Sequence, residues 1–174
     1  MIYLVRQAQT DWNLFRRCNG ITETFLNQTG IAQAEQQAKN LKSIKFDACF
    51  CSPRERTRRT CEIIFQGPMI IDERLTEINC GEFEGKEETP EMMKQFMRAI
   101  ADGAMGTEKY DDFMKRNIAF CKMIDTKYRS KNVLIVTHAA NVRVLIYYFL
   151  GEPQDYDFTN TPIKSGELIT FDNE

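Results

Sequence analysis

Three short apolar runs limit how this chain can fold. They are IYLV at 2–5, FDACF at 46–50 and VLIVT at 133–137. Runs of this length with little polar alternation are typical of strands that are buried on both faces of a sheet. Because helices must cover both faces of such a sheet, the runs predict an α/β fold with parallel strands.

Helical patterns separate these runs. The first helix after β-strand 2–5 has apolar residues at helical spacing, namely Ile31, Ala34, Ala38 and Leu41. After the second run, Ser52 is the predicted N-cap of a second helix, with Pro53 in its first turn. Thr89 and Pro90 give the same signal before EMMKQFMRAI. The chain therefore alternates strands with helices.

The second half of the chain continues this order. An amphipathic pattern from Tyr110 to Ile124 precedes the third strand, and a helix over 139–150 follows it and stops near Gly151 and Pro153. ELITF at 167–171 is the last predicted strand, at an edge of the sheet. The expected fold is a three-layer α/β/α sandwich with a mostly parallel central sheet. The length of 174 residues suits a single domain spanning 1–174.

Composition and charge narrow the possible partners. A net charge of -2 and a pI near 5.6 give no general attraction to nucleic acid or to anionic membranes. The apolar run at 133–150 contains His138, Asn141 and Arg143, which argue against a membrane span. The apolar residues before Arg6 are too few for a signal peptide, so we expect a cytoplasmic protein.

The cysteine pattern argues against a metal centre. None of the six cysteines forms a C-x-x-C pair, and the chain has one histidine to complement them. We therefore expect reduced thiols and no metal or other cofactor. Cys49 and Cys51 alternate along a predicted strand and should share one face.

Charged residues follow the carboxyl ends of the predicted strands, where ligands bind in open α/β sheets. Arg6 follows the first strand, Arg56 lies in the helix after the second, and His138 follows the third. Glu77 lies in a long connection that can cover them. Guanidinium groups bind phosphate through paired donors, so these residues predict an anion site that contains an acid.

Four motifs resemble the histidine phosphatase superfamily, also called phosphoglycerate mutase-like. RQAQTDWN is similar to the family's Arg-His-Gly-Glu-Thr with Trp-Asn after it, and SPRERTRRT to its Ser-Pro-Leu-x-Arg-Ala-x-x-Thr. LTEINCGEFEG resembles Leu-x-Glu followed by Gly-x-x-x-Gly, and THAANVR resembles Ser/Thr-His-Gly-Gly. Order and spacing match along nearly the whole chain, so the motifs are specific as a set.

The resemblance implies roles for particular residues. It implies a phosphate site and a proton donor at Glu77, without a cofactor metal. It also implies a lid-like insertion at about 82–108. The phosphate-binding residues that it implies are Arg6, Asn13, Arg56 and His138. Asn13 can instead cap the following helix together with Thr10, and Arg54, Arg58 and Arg59 are most simply a solvated helix face. The segment with Met92, Met93, Phe96, Met97 and Ile100 is either core or part of the substrate-selecting lid.

The position of the family's nucleophilic histidine is occupied by Gln7. A carboxamide is a poor nucleophile, and loss of a catalytic nucleophile has cost on the order of 10⁶ in turnover in another enzyme. Further departures surround the site at Ala8, Gln9, Ala139 and Ala140. Alanine in place of glycine is expected to change the shape of the pocket where the backbone needs a positive φ.

Three hypotheses follow. The first is a pseudo-phosphatase that binds phosphate, a phosphorylated small molecule or a phosphoprotein. The second is an active phosphomonoester phosphatase or mutase that uses altered chemistry through His138 or Glu77. The third is a protein interaction scaffold with a vestigial pocket, in which the charged segment GEFEGKEETPE presents the surface. The sequence does not specify the oligomeric state.

Overall fold

The computed structural model describes residues 1–151 and 162–172, which contain a five-stranded sheet with the order β3-β2-β4-β1-β5. Its strands are β1 (Ile2–Arg6), β2 (Ala48–Cys51), β3 (Ile70–Ile71), β4 (Val133–Thr137) and β5 (Leu168–Phe171). Strands β1 to β4 are parallel to one another, and β5 pairs antiparallel with β1 at the edge. The predicted fold class and the edge position of the last strand are confirmed.

Six α-helices lie in the described part of the chain. They are α1 (Asp11–Leu14), α2 (Gln28–Leu41), α3 (Glu55–Ile64), α4 (Pro90–Asp102), α5 (Tyr110–Lys127) and α6 (Ala139–Leu150). Short 3-10 turns cover Glu73–Leu75, Gly81–Phe83 and Ala104–Gly106. Gly151 ends α6 as predicted, and Pro153 lies outside the described residues.

Alternating side chains of the strands form two separate cores. On one face, Leu4 and Ile135 pack with Phe120 of α5 and Leu145 of α6. On the other, the buried strand residues pack with α2 and α3 through Ala34, Leu41, Cys61 and Ile64. Helices therefore cover both faces, which explains why the strands read as continuous apolar runs.

A third core lies under the segment that resembles a lid. Met92, Phe96 and Ile100 of α4 are buried against Phe83 and Phe113. This confirms the core reading for these three residues, whereas Met97 is 40% exposed.

The start of α3 differs from its prediction. Ser52 is not the N-cap, because the helix begins at Glu55 and Arg54 occupies the cap position without a side-chain hydrogen bond. By contrast, Thr89 does cap α4, since its hydroxyl accepts a hydrogen bond from the Met92 amide at 3.2 Å. Ser52 has another partner, which is described below.

One residue of the predicted helix pattern faces away from the core. Ile31 of α2 is 37% exposed, because Gly30 and Ala34 form the buried face. Gly30 packs so closely that a Cβ atom there would lie 2.1 Å from the carbonyl oxygen of Gln9. The close approach of α2 to the β1 loop therefore requires this glycine.

The cysteines are buried, and none of the six is bridged. Cys49 and Cys51 share one face as predicted, where both contribute to the core under α2 and α3. No helix in the described ranges has the length and apolar character needed to cross a membrane.

Candidate functional site

The carboxyl ends of β1 and β4 bring the first site residues together. Arg6 pairs in register with Thr137, and the Gln7 amide donates to the Thr137 carbonyl at 2.8 Å. Gln7 and His138 therefore leave adjacent strands side by side. Both are almost completely buried, with 3% and 1% of their surfaces exposed.

Arg6 is held by the segment that returns to β5. One terminal guanidinium nitrogen of Arg6 donates to the carbonyl of Ile163. The Gly166 amide also donates to the carbonyls of Arg6 and Gln7, at 3.2 and 3.1 Å. These contacts fix the backbone of the loop on which the motif residues lie.

Arg56 anchors a loop over the site, the 19–24 loop. Its Nη1 donates to the Thr22 carbonyl at 2.9 Å, and its Nη2 to the Gly20 carbonyl at 2.6 Å. The side chain is 1% exposed, and this burial lowers the pKa of Arg56 to about 10, so the guanidinium stays charged near neutral pH. Arg56, whose phosphate contact stays a prediction, thus holds the loop through its terminal nitrogens.

The 19–24 loop also depends on two residues that the motif comparison missed. Arg54 donates to the Ile21 carbonyl at 3.0 Å and pairs with Glu23 at 3.1 Å. Glu84 accepts the amides of Gly20 and Ile21 at 3.1 and 2.7 Å. The expectation that Arg54 belongs to a solvated helix face is therefore wrong, because the loop folds onto the start of α3.

Glu77 lies near Arg56 and Arg143, whose positive charges act on its carboxyl group. Its carboxylate oxygens accept the Ile78 amide at 2.9 Å and the Ala140 amide at 3.3 Å. Burial raises the pKa of Glu77, and it outweighs the two amides and the positive charges of Arg56 and Arg143. An acid in this position retains its proton to a higher pH than an exposed glutamate.

His138 is bound by Ser52. The Ser52 Oγ and the His138 Nε2 are 2.7 Å apart, and both residues are buried. Burial lowers the pKa of His138 well below its ordinary value, and the charges of Arg56 and Arg6 lower it further. The imidazole is therefore neutral at physiological pH.

Asn13 makes local contacts. Its Oδ1 accepts the Thr10 amide and the Thr10 hydroxyl, each at 3.0 Å, and the Thr10 hydroxyl accepts the Asn13 amide at 3.3 Å. This capping box supports the capping role considered for the pair. A phosphate contact from Asn13 stays a prediction.

Several buried polar atoms in the site have no hydrogen-bond partner among the described residues. They are the Arg6 Nε, Gln7 Oε1, Arg56 Nε and His138 Nδ1 atoms. Buried polar groups are almost always paired in folded proteins, so these atoms call for an ordered water molecule or a ligand as a partner, as do the Asn19 Oδ1, Arg54 Nε and Asn141 Oδ1 atoms. The 19–24 loop also packs closely against the segment after Glu77, since a Cβ on Gly20 would lie 2.3 Å from the Ile78 carbonyl oxygen.

The alanines that replace the motif's glycines fit the backbone. Ala8, Ala139 and Ala140 are absent from the described non-glycine residues that have a positive φ. Ala139 and Ala140 lie in the first turn of α6, and the Ala140 amide reaches Glu77. These alanines therefore need no left-handed backbone, and the expected effect on the shape of the pocket stays a prediction.

Metal ligation has no support in the described ranges, where no group of three or more histidine, cysteine, aspartate or glutamate side chains is placed to hold an ion. The hydrogen-bond donors of the site are positively charged arginines and a neutral histidine, and Glu77 lies beside them as an acid. Such a set suits an anion.

Comparison with known proteins places the chain in a family. The model of the histidine phosphatase superfamily (branch 1) matches residues 2–171. The Bacillus subtilis (strain 168) protein named "Uncharacterized phosphatase PhoE" is 32% identical over 153 residues, which cover 86% of this chain and 77% of that protein. "Probable phosphoglycerate mutase GpmB" of Escherichia coli (strain K12 / DH10B) is 30% identical over 165 residues, covering 87% of this chain and 75% of that protein.

Solved structures agree with this assignment. Bacillus stearothermophilus YhfR superimposes with a TM-score of 0.80 at 27% identity, over 96% of this chain and 88% of that chain. The alpha-ribazole phosphatase from Shigella flexneri has the same fold, with a TM-score of 0.80 at 24% identity over 96% of this chain and 87% of that chain. The chain belongs to the histidine phosphatase superfamily.

Proposed function

We propose that this protein is a pseudo-phosphatase, which binds phosphate or a phosphate ester at the ends of β1 and β4 without turning it over by a phosphohistidine mechanism. Arg6, Arg56 and His138 bind the anion, and Asn13 adds a contact from α1. Gln7 occupies the place of the nucleophile.

The cluster of buried, unpaired polar atoms carries this proposal. The Nε atoms of Arg6 and Arg56 are charged donors without a partner in the described part of the chain, the His138 Nδ1 atom is likewise unpaired there, and the charges of both arginines act on His138. An anion would satisfy all three at once. It would reach the terminal nitrogens of Arg56 only by displacing the carbonyls of the 19–24 loop, to which they are bonded.

Gln7 accounts for the loss of the chemistry. Its carboxamide is buried at the end of β1, where its oxygen lacks a partner in the described ranges and its nitrogen can donate to an anion. Neither atom can carry a phosphoryl group as an imidazole does. Since burial raises the pKa of Glu77, the uncharged carboxyl can remain beside a bound anion without repelling it.

Two arrangements weigh against an active enzyme that uses altered chemistry. The Ser52 hydroxyl is hydrogen-bonded to the His138 Nε2 atom, so this nitrogen is not available as a nucleophile. Both carboxyl oxygens of Glu77 already accept a hydrogen bond from a backbone amide, so neither oxygen is fully available to activate a water molecule. Turnover by the native chain that is lost in His138→Ala or Glu77→Ala would favour this alternative.

The family to which the chain belongs supports a class of ligand. Relatives of this chain have names that include a phosphatase and a phosphoglycerate mutase, which supports phosphate or a phosphomonoester. The ligand is phosphate, a phosphorylated small molecule or the phosphorylated side chain of a protein. The proposed lid at 82–108 would select among them, with Met97 of α4 exposed on its surface.

Calorimetric titration with inorganic phosphate tests the proposal. Arg56→Ala should weaken phosphate binding at least about tenfold, because a charged hydrogen bond contributes about 1.5–3 kcal/mol. Arg58→Ala is the matched control, since Arg58 lies on the same helix and forms an exposed ion pair with Glu55. Binding that is absent in the native chain, or equally strong in both variants, would end the proposal.

A further inference from the structure

Ser52 has a contact that neither its sequence motif nor the family comparison explains. The sequence predicts a helix cap, yet α3 starts at Glu55 and the Ser52 hydroxyl lies 2.7 Å from the His138 Nε2 atom. Ser52 is fully buried and His138 is 1% exposed, so water does not compete for this bond. The contact joins the end of β2 to the start of α6.

The direction of this hydrogen bond follows from the other partners of Ser52. A hydroxyl has one hydrogen to donate and two lone pairs to accept. The Arg54 amide approaches the Ser52 Oγ at 3.4 Å, which uses a lone pair. Among the described residues, the one acceptor within hydrogen-bonding distance of the Ser52 hydroxyl is the His138 Nε2 atom, so we assign the Ser52 hydrogen to this contact. If Nε2 carried a proton instead, the buried hydroxyl hydrogen would have no acceptor, which is costly.

A neutral imidazole carries one proton, and the hydrogen bond of one nitrogen determines which nitrogen holds it. With Nε2 accepting from Ser52, the proton must be on Nδ1. The Nδ1 atom is buried and has no partner among the described residues, and Arg6 and Arg56 are near enough for their charges to act on the ring.

We propose that Ser52 is a positioning residue, which holds neutral His138 with its proton on Nδ1 so that this N–H donates to the bound anion. The donor role rests on the proposed function, whereas the tautomer is a property of the free protein. Ser52 would thus turn an imidazole that carries no charge into an anion-binding group at every physiological pH.

The single histidine of the chain makes the tautomer directly measurable. In protein labelled with ¹⁵N and free of phosphate, the imidazole nitrogens give two resonances that distinguish the protonated from the unprotonated atom. We expect Nδ1 to be protonated and Nε2 unprotonated in the native chain. In Ser52→Ala this preference should be lost, and the affinity for inorganic phosphate should fall about tenfold.

A matched control removes a neighbouring hydroxyl that does not touch His138. Thr57 is buried in α3, and its hydroxyl donates to the carbonyls of Ser52 and Arg54 at 3.1 and 2.6 Å. Thr57→Val should disturb packing near Ser52 while leaving both the tautomer and the phosphate affinity as in the native chain.

The outcomes separate the two proposals. A native spectrum with the proton on Nε2 would overturn the role of Ser52, even if Ser52→Ala does not fold. An unchanged tautomer and unchanged phosphate affinity in folded Ser52→Ala would also overturn it. If the native chain shows the Nδ1 proton but binds no phosphate, the tautomer assignment is supported and the proposed function is wrong.

Discussion

At the scale of single residues, burial decides the charge states of the site. Glu77 and His138 are both held away from water, and burial favours the uncharged form of each. The arginines keep their charge, since even the lowered pKa of Arg56 is about 10. The site therefore presents positive charge and neutral donors to a ligand, and burial shifts Glu77 toward its uncharged form.

The neutral state of His138 makes stability depend on pH. Below about pH 6.5 the histidine of the unfolded chain gains a proton that the native ring does not, so the free energy of unfolding falls by about 1.4 kcal/mol per pH unit. The full stability of the native chain with respect to His138 is present above about pH 6.5, and it is lost as the pH falls toward the native pKa of His138.

Urea unfolding at several pH values measures this contribution. The native chain should show a steeper loss of stability on acidification than His138→Gln. Comparing the two removes the effect of Glu77, whose raised pKa acts in the opposite direction. Parallel profiles for both proteins would mean that native His138 takes up a proton normally.

Glu77 predicts a pH dependence of anion binding. When the pH rises through its raised pKa, the new negative charge opposes the anion, although Arg6, Arg56 and Arg143 partly offset it. We expect the affinity for sulfate to fall about tenfold across this ionisation. Sulfate is the suitable probe because its own charge stays constant over this range.

The matched variant is Glu77→Gln, which keeps the shape of the protonated side chain. Its sulfate affinity, measured by calorimetry, should lose this step and match that of the native chain at the acidic end. A step of the same size in Glu77→Gln would assign the pH dependence to another group.

At the scale of elements, apolar runs predicted the central strands, and capping signals succeeded at one helix and failed at another. The strands at 2–6 and 133–137 follow from apolar runs, and Thr89 with Pro90 marks the start of α4 as predicted. The two-residue strand β3 was not predicted, because Ile70 and Ile71 are too short a run to show a period. Ser52 was assigned wrongly, since its hydroxyl has a tertiary partner that local sequence does not reveal.

The residues of the candidate site could also be predicted from the sequence only in part. Motif frames indicated Arg6, Arg56, Glu77 and His138, which the fold brings together. Arg54 and Glu84 had no motif signal, because they act by holding the backbone of the 19–24 loop. Loop contacts of this kind depend on the three-dimensional path of the chain.

An arginine of α5 supports the loop that carries Glu77. The Arg116 Nη1 donates to the carbonyls of Arg74 and Thr76, both at 2.6 Å, and its Nε donates to Glu108 at 2.7 Å. A lysine has a single ammonium group and cannot form this fork. Arg116→Lys should therefore lower the free energy of unfolding by about 2 kcal/mol.

Chemical denaturation of Arg116→Lys tests this expectation. Lys115→Ala provides the control, since Lys115 is an exposed cation on the same helix. The control should unfold like the native chain. A stability of Arg116→Lys equal to that of Lys115→Ala would show that the loop does not depend on the guanidinium.

At the scale of the whole molecule, the chain has the fold of its family, and Gln7 stands where the motif resemblance implies a nucleophilic histidine. The family model spans residues 2–171, and the sheet places the motif loops at one edge as in an α/β ligand site. Ala8, Ala139 and Ala140 are accommodated without strained backbone. Gln7 is therefore the change that bears most directly on chemistry.

The most direct test of the account compares turnover of p-nitrophenyl phosphate by the native chain, Gln7→His and the control Gln7→Asn. We predict that the native chain and Gln7→Asn are nearly inert. Gln7→His should gain at least about 10²-fold, a fraction of the roughly 10⁶ that a nucleophile contributes. Substantial turnover by the native chain, or no gain in a Gln7→His protein that still binds phosphate, would contradict the claim that the missing imidazole is the defect.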